Sequence, residues 1–210
     1  MSQIPRDYDA EMRRELERLA DCGERPRLLL HACCAPCSTR GLQLLSAAFR
    51  LTLLYFNPNI APRDEYDLRL SELRRLLTVS PFGAGVELIA PEYDRDAFDR
   101  VAHGMESERE GGERCRRCFE LRLNYTAETA KSLGYEYFAT TLTVGRRKSA
   151  QAVNDAGEAA ERATGVRFLV SDMKKRGGEQ ESVRLSREWG LYRQQYCGCK
   201  PVTPVSIVHC

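Results

Sequence analysis

The sequence predicts an α/β protein: a single domain built on a doubly wound parallel sheet with helices on both faces. Two observations predict this class. Short apolar runs alternate with longer segments of helical periodicity, which is typical of strand–helix–strand units. The length of 210 residues suits one well-buried domain and makes two full domains unlikely.

Five apolar runs have the length and composition of buried strands. They cover residues 27–33, 51–57, 86–91, 135–144 and 166–172. Ligands of doubly wound sheets bind beyond the carboxyl ends of the strands, where the strand order reverses. We therefore expect the active site at the loop that holds Cys33, Cys34 and Cys37, with Thr140, Thr141 and Thr143 facing it from the end of the fourth strand.

Helical patterns precede, separate and follow these strands. Pro62 suits a first helical turn, Asp94 suits a helix cap, and Gly134 suits a helix stop. The predicted helices are 7–21, 38–48, 62–78, 94–106, 115–133, 148–163 and 179–196.

Composition and charge exclude little by themselves. The chain has 32 Lys and Arg against 30 Asp and Glu, so its net charge does not indicate a nucleic-acid partner. Local basic clusters do occur. We find no secretory signal and no run long enough to span a bilayer, which predicts a cytoplasmic protein with no membrane partner. The basic clusters are Arg114/Arg116/Arg117, Arg146/Arg147/Lys148 and Lys174/Lys175/Arg176.

The nine cysteines are grouped, and grouped cysteines in a reducing compartment indicate metal ligands or a redox centre. Cys115 and Cys118 share a face at the start of a predicted helix, whose N-terminus should lower their thiol pKa values. The groups are Cys33/Cys34/Cys37, Cys115/Cys118 and Cys197/Cys199; Cys22 and Cys210 stand apart.

Adjacent thiolates favour an iron–sulfur cluster over a single zinc ion, because neighbours can bind separate iron corners. Cys33, Cys34, Cys115 and Cys118 would supply the four thiolates of a [4Fe–4S] cluster. Zinc and metal-free thiol redox chemistry are the alternatives. Cys37 is then the candidate ligand of a second metal beside the cluster, either iron or zinc.

The Cys197-Gly198-Cys199 motif is the candidate redox pair. Its disulfide ring is small and strained, so it should be readily reducible. A helical face that carries aromatic residues is expected to run into the motif and to deliver Cys197 at its end. Its members are Leu185, Trp189, Tyr192 and Tyr196.

Other patterns carry less information. His31 lies inside the first strand and is better explained as a core residue than as a ligand, while His103 and His209 lie in no motif. We find no glycine-rich dinucleotide loop, no Walker loop and no pyrophosphate loop after the first strand. ATP-dependent activation is therefore disfavoured.

Five blocks together resemble the cobalamin-independent epoxyqueuosine reductases, the QueH family, over residues 27 to about 199. They are "LLLHACCAPCST", "YFNPNIAPRDEYDLRL", "GGERCRRCFELRL", "YFATTLTV" and "GLYRQQYCGC". The resemblance implies a Rossmann-like fold similar to nucleotide-binding α-hydrolase folds. It also implies a boundary between a helical extension (1–26), a catalytic domain (27–199) and a tail (200–210).

The resemblance further implies an oxidoreductase for the last step of queuosine biosynthesis. The epoxide of epoxyqueuosine would be reduced at the wobble position of a tRNA anticodon loop, with electrons from an unidentified donor. The cluster would lie on Cys33, Cys34, Cys115 and Cys118, the extra metal on Cys37, and the redox-active pair on Cys197 and Cys199.

A tRNA substrate requires contacts to bases and phosphates. Asn57, Asn59, Tyr66 and Arg69 are candidates to line the base pocket, while Tyr196 and Glu65 are candidate proton donors. The expected phosphate contacts are Arg146, Arg147 and Lys148. A sulfur-transfer enzyme on the same fold and a non-enzymatic zinc-binding module remain the competing classes.

Overall fold

The computed structural model describes residues 6–199. Five parallel strands form one sheet in the order β3-β2-β1-β4-β5: β1 (Arg27–His31), β2 (Arg50–Leu54), β3 (Glu87–Ile89), β4 (Tyr137–Thr140) and β5 (Arg167–Phe168). The chain adds strands to one side of β1, then returns to add β4 and β5 on the other side. This confirms the predicted doubly wound parallel sheet.

Residues 6–199 form seven α-helices: α1 (Tyr8–Asp21), α2 (Ala35–Leu45), α3 (Arg63–Val79), α4 (Arg95–Ala102), α5 (Glu113–Ser132), α6 (Ala150–Thr164) and α7 (Gly178–Glu188). None of the helices within residues 6–199 is both long and apolar enough to cross a bilayer.

Alternation along β1 explains why both faces of the sheet are covered. Leu28 and Leu30 point into a core shared with α1, α2 and α3, whereas Leu29 points into a second core shared with α5 and α6. Both faces are thus apolar, as a parallel sheet requires. Each fully buried leucine contributes on the order of 1.5–3 kcal/mol of burial free energy.

The structure corrects the ends of two predicted elements near the site. The fourth strand ends at Thr140 instead of continuing to 144, because the Thr140 side chain accepts a hydrogen bond from the Leu142 amide and starts a 3₁₀ turn, Thr141–Val144. The last helix ends at Glu188 instead of 196. Trp189 caps it, and Gly190 has a left-handed φ of 58°.

Smaller shifts have equally local causes. The second helix starts at Ala35 rather than 38, because Pro36 is tolerated in a first turn. The fourth helix stops at Ala102 rather than 106, where His103 leaves the helical conformation and Gly104 follows with a φ of 77°.

Gly157 is required by close packing of α6 on the sheet. A Cβ at this position would lie 2.3 Å from ring carbons of Phe168.

Gly157→Ala should therefore lower the free energy of unfolding by about 1–3 kcal/mol through overpacking, although alanine ordinarily favours a helix by about 1 kcal/mol over glycine. Urea unfolding measures the change. In a Phe168→Leu background the penalty should shrink, and a stabilised single variant would contradict the close approach.

Candidate metal centre and active site

The loop between β1 and α2 brings three thiols together at the predicted edge of the sheet. Cys34 is the extended residue before α2, with φ −174°, and the helix begins directly after it at Ala35. The Cys33 amide donates to Thr141 Oγ1 at 3.0 Å, which ties the loop to the end of β4. The Sγ atoms of Cys33 and Cys34 are 3.8 Å apart, and those of Cys33, Cys34 and Cys37 all lie within 4.8 Å of one another.

These sulfur distances fit metal binding. Thiolates around a tetrahedral ion with metal–sulfur bonds of about 2.3 Å lie about 3.8 Å apart. A cubane cluster spaces its cysteine ligands more widely. Cys33, Cys34 and Cys37 form a compact trio, to which Cys115 and Cys118 do not belong. The adjacency of Cys33 and Cys34 is therefore compatible with one shared ion as well as with a cluster, and adjacency alone does not favour the cluster.

The three thiols of the trio differ in pKa. Hydrogen bonds from Cys34 and Cys37 hold the pKa of Cys33 well below its usual range. The hydrogen bond to Cys33, together with burial, raises the pKa of Cys34 to about 11, although the contact with Cys37 opposes it. Hydrogen bonds to Cys33 and Cys34 raise the pKa of Cys37 well above its usual range. A metal that binds here must displace the remaining protons, so its affinity should increase with pH.

Cys118 on α5 behaves differently from the sequence expectation. Both cysteines lie at the start of the helix, as predicted, and the Gly111 amide donates to Cys115 Sγ at 3.2 Å. Burial, however, raises the pKa of Cys118, and the nearby Arg122 guanidinium only partly opposes it. Desolvation thus outweighs the helix N-terminus at Cys118.

The segment after α7, residues 189–199, carries the Cys197-Gly198-Cys199 motif in an irregular conformation rather than at the end of a helix. Gly198 has a φ of 92°, which favours glycine. The Cys199 thiol donates to Cys197 and lowers the pKa of Cys197 to about 5, with further help from Lys148 and Arg122. The pKa of Cys199 is raised in turn.

Two neighbouring cavities connect the cysteine groups. The larger, of 540 Å³, is lined by the trio and by Cys197. The smaller is lined by Cys115, Cys118, Cys197 and Cys199. Five residues line both cavities: Glu110, Arg122, Arg147, Lys148 and Cys197. Cys197 therefore faces both groups of candidate metal ligands.

The predicted substrate residues separate into those that line the larger cavity and two that do not. Asn57, Asn59, Arg69, Tyr196 and the basic run 146–148 line the larger cavity. The side chains of Arg146 and Arg147 are exposed at its edge, whereas Asn59 is buried and its Oδ1 has no hydrogen-bond partner among the described residues.

Glu65 and Tyr66 do not line this cavity. Tyr66 is 3% exposed and lies between the rings of Tyr55 and Tyr93, at 4.9 and 4.5 Å between ring centroids. Glu65 accepts a hydrogen bond from Arg69 at 2.6 Å. Both side chains lie in the packing around α3.

Sequence reasoning missed Arg122, which is 2% exposed and lies behind the thiols. Its Nη1 donates to Cys118 Sγ at 3.7 Å, and its Nη2 donates to Asn57 Oδ1 at 2.6 Å. Its Nε donates to Nε2 of His31 at 3.3 Å. Arg122 lies one helical turn after Cys118, so the i,i+4 spacing was a usable signal.

His31 is fully buried, as its predicted core role requires. Burial and the charge of Arg122 lower its pKa to about 3, so the imidazole is neutral at physiological pH. Of the two side chains, Arg122 therefore carries the positive charge, and it donates a hydrogen bond to Cys118 directly.

Fold and site together define an α/β protein with a cluster of thiols that could hold a metal at the reversal point of a parallel sheet. Residues 28–201 match the family model described as epoxyqueuosine reductase QueH. The chain belongs to this family. The epoxyqueuosine reductase QueH of Staphylococcus epidermidis is 38% identical over 199 residues, covering 92% of this chain and 83% of the relative.

Two further relatives with the same name are similar over comparable lengths. That of Streptococcus pyogenes serotype M1 is 39% identical over 197 residues, covering 92% of this chain and 76% of its own. That of Thermotoga maritima is 34% identical over 178 residues, covering 82% of this chain and 88% of its own.

The unequal pKa values of the Cys197–Cys199 pair predict selective alkylation. In the reduced, metal-free protein, Cys197 should react with iodoacetamide with a midpoint near pH 5, while Cys199 stays protonated and slow. Lys148→Met should move the midpoint upward, because a positive charge stabilises the thiolate. Peptide mass spectrometry across pH measures both rates.

Lys175→Met is the matched control, since Lys175 pairs with Asp7 at the surface. Faster alkylation of Cys199 than of Cys197 at pH 7 would contradict the assignment.

Proposed function

We propose that this chain reduces epoxyqueuosine to queuosine at the wobble position of tRNA in the cytoplasm, the last step of queuosine biosynthesis. A [4Fe–4S] cluster would be held by Cys33, Cys34, Cys115 and Cys118, and Cys37 would bind a second metal, iron or zinc. The observation that carries the proposal is the meeting of three cysteine groups around two adjoining cavities in a chain of this family.

The reaction requires two electrons and two protons, since an epoxide is converted to an alkene and water. When bound, the cluster would supply single-electron transfer. Oxidation of the Cys197 thiolate and the Cys199 thiol to a disulfide releases two electrons and one proton. The electrons match one turnover, and the second proton must come from a separate donor. A reductant outside the chain must then restore both thiols.

The residues of the larger cavity would prepare the reaction. Lys148 and Arg122 favour the Cys197 thiolate. Tyr196 is the better candidate proton donor, because it lines the cavity and burial raises its pKa, which keeps its hydroxyl protonated. Glu65 is already engaged by Arg69 outside this lining.

The larger cavity has the size of a small-molecule site, so it can take one extruded nucleobase. The buried Asn59 Oδ1 would accept a hydrogen bond from that base. Arg146 and Arg147, exposed at the cavity edge, would contact phosphates of the anticodon loop.

One observation favours a second candidate, a zinc-binding module. The compact trio has the sulfur spacing of a single tetrahedral ion. In that case the anaerobically purified protein would be colourless, with zinc and without sulfide, and it would not form queuosine.

Cysteine substitutions test the ligand assignment. Anaerobically purified protein should be brown and hold about four irons and four sulfides per chain. Cys115→Ala should lose the colour and should not form queuosine from epoxyqueuosine-containing tRNA with a strong reductant. Cys37→Ala should keep the cluster's sulfide and visible absorption while it loses the additional metal.

Cys22→Ala is the control, because Cys22 is exposed. Metal and sulfide analysis, absorption spectra and nucleoside analysis are the readouts. Full queuosine formation by Cys115→Ala would remove the cluster from the mechanism.

Substitution of the basic rim tests the tRNA contact. Arg146→Ala and Arg147→Ala should each weaken tRNA binding and reduce the slope of log affinity against log salt by about one phosphate contact. Arg184→Ala, on exposed α7, should change neither quantity. Fluorescence anisotropy over a salt series measures both, and unchanged slopes in the rim variants would place the phosphates elsewhere.

A further inference from the structure

The polar face of α3, defined here as Glu65, Arg69, Glu72 and Arg75, contacts the 189–199 segment along its length. Arg75 donates to the carbonyls of Trp189 and Gly190 at 3.0 and 2.5 Å. Glu72 accepts the Tyr192 amide at 2.7 Å. These contacts hold the beginning of the segment against the helix.

The same face holds the redox motif itself. Arg69 Nη1 donates to the Cys197 carbonyl at 3.1 Å, and its Nη2 donates to the Tyr196 carbonyl at 3.3 Å. Its Nε donates to Glu65 Oε1 at 2.6 Å. The planar guanidinium therefore bridges one carboxylate and two consecutive backbone carbonyls, a geometry that lysine does not reproduce.

Contacts around Arg69 make this arrangement specific. Arg69 is 3% exposed, and the Tyr192 hydroxyl donates to Glu65 at 3.2 Å. The Gly198 carbonyl accepts the Ala61 amide at 2.9 Å, just ahead of α3. A Cβ at Gly198 would lie 3.2 Å from Arg69 Nη2, so glycine lets the motif approach the guanidinium.

We propose that Arg69, oriented by Glu65, is a positioning residue that fixes the backbone of the Cys197–Cys199 motif at the metal cavity. The proposal rests on the proposed function only for the redox role of the motif. It replaces substrate contact as the main role of Arg69, because its guanidinium is directed at the protein's own carbonyls.

Amide hydrogen exchange of the intact, metal-loaded protein tests the proposal without turnover. Arg69→Met, Arg69→Lys and Gly198→Ala should each accelerate exchange in peptides from 189–199 by about ten-fold, because the segment opens more often once its carbonyls are no longer held by Arg69. Arg74→Met is the matched control, since Arg74 is exposed on the same helix. Unchanged exchange in all three variants would overturn the proposal.

Two further readouts separate positioning from substrate binding. The tRNA affinity of Arg69→Met should stay within about two-fold of that of the wild-type protein. Its kcat should fall about ten-fold, with little change in KM. Weaker tRNA binding with unchanged amide protection in residues 189–199 would overturn the proposal and would indicate that Arg69 contacts the substrate. The double variant Glu65→Gln/Arg69→Met is a control for folding, because Arg69→Met alone leaves the buried Glu65 carboxylate unpaired and could destabilise the protein.

The exchange result also separates the two hypotheses. If the chain forms no queuosine but the variants release the segment, the proposed function fails and the positioning role stands. If queuosine forms and the segment stays protected in every variant, the positioning role fails alone.

Discussion

The reversal of strand order between β1 and β4 is the constraint on which the site depends. It leaves the loop after β1 and the turn after β4 side by side, without a helix crossing over them. The hydrogen bond from the Cys33 amide to Thr141 fixes that neighbourhood. Every other cysteine group reaches the site by approaching this fixed edge, from α5 on one side and from residues 189–199 on another.

Charge compensation inside the site follows from the same arrangement. Several thiols in one partly buried place would repel as thiolates, and burial alone raises the pKa of Cys118. Arg122 and Lys148 supply positive charge from inside the protein, and both line the two cavities. His31 is neutral and adds no positive charge, whereas Arg147 lines both cavities as well. The protein thus supports thiolates here at a limited desolvation cost.

Much of the fold could be predicted from the sequence, because buried parallel strands are apolar throughout and the helices carry ordinary start and stop signals. The site's position followed from topology, and the convergence of Cys33 with Cys34 followed from Pro36. The end of the last helix was predicted wrongly, because aromatic residues at helical spacing indicate a helix only where the backbone stays in the helical region. Gly190 leaves that region, and the helix ends before it.

Arg122 was missed for a different reason: its partners Asn57 and His31 are distant in sequence, and only the fold brings them together. Likewise, composition cannot show whether an arginine faces a ligand or its own backbone. The roles assigned to Cys33, Cys115 and their fellow ligands stay predictions, since spacing identifies thiols that meet but not the metal they hold.

The order of the cysteines along the chain bears on how the protein matures. The first trio is synthesised early, the α5 pair follows in mid-chain, and the Cys197–Cys199 motif comes near the end. Because ribosomes extend the chain from the N-terminus, the proposed cluster ligands Cys33, Cys34, Cys115 and Cys118 would all be available only after α5 has emerged. Under that assignment, the thiols of the first loop would wait without their partners while the middle of the chain is made.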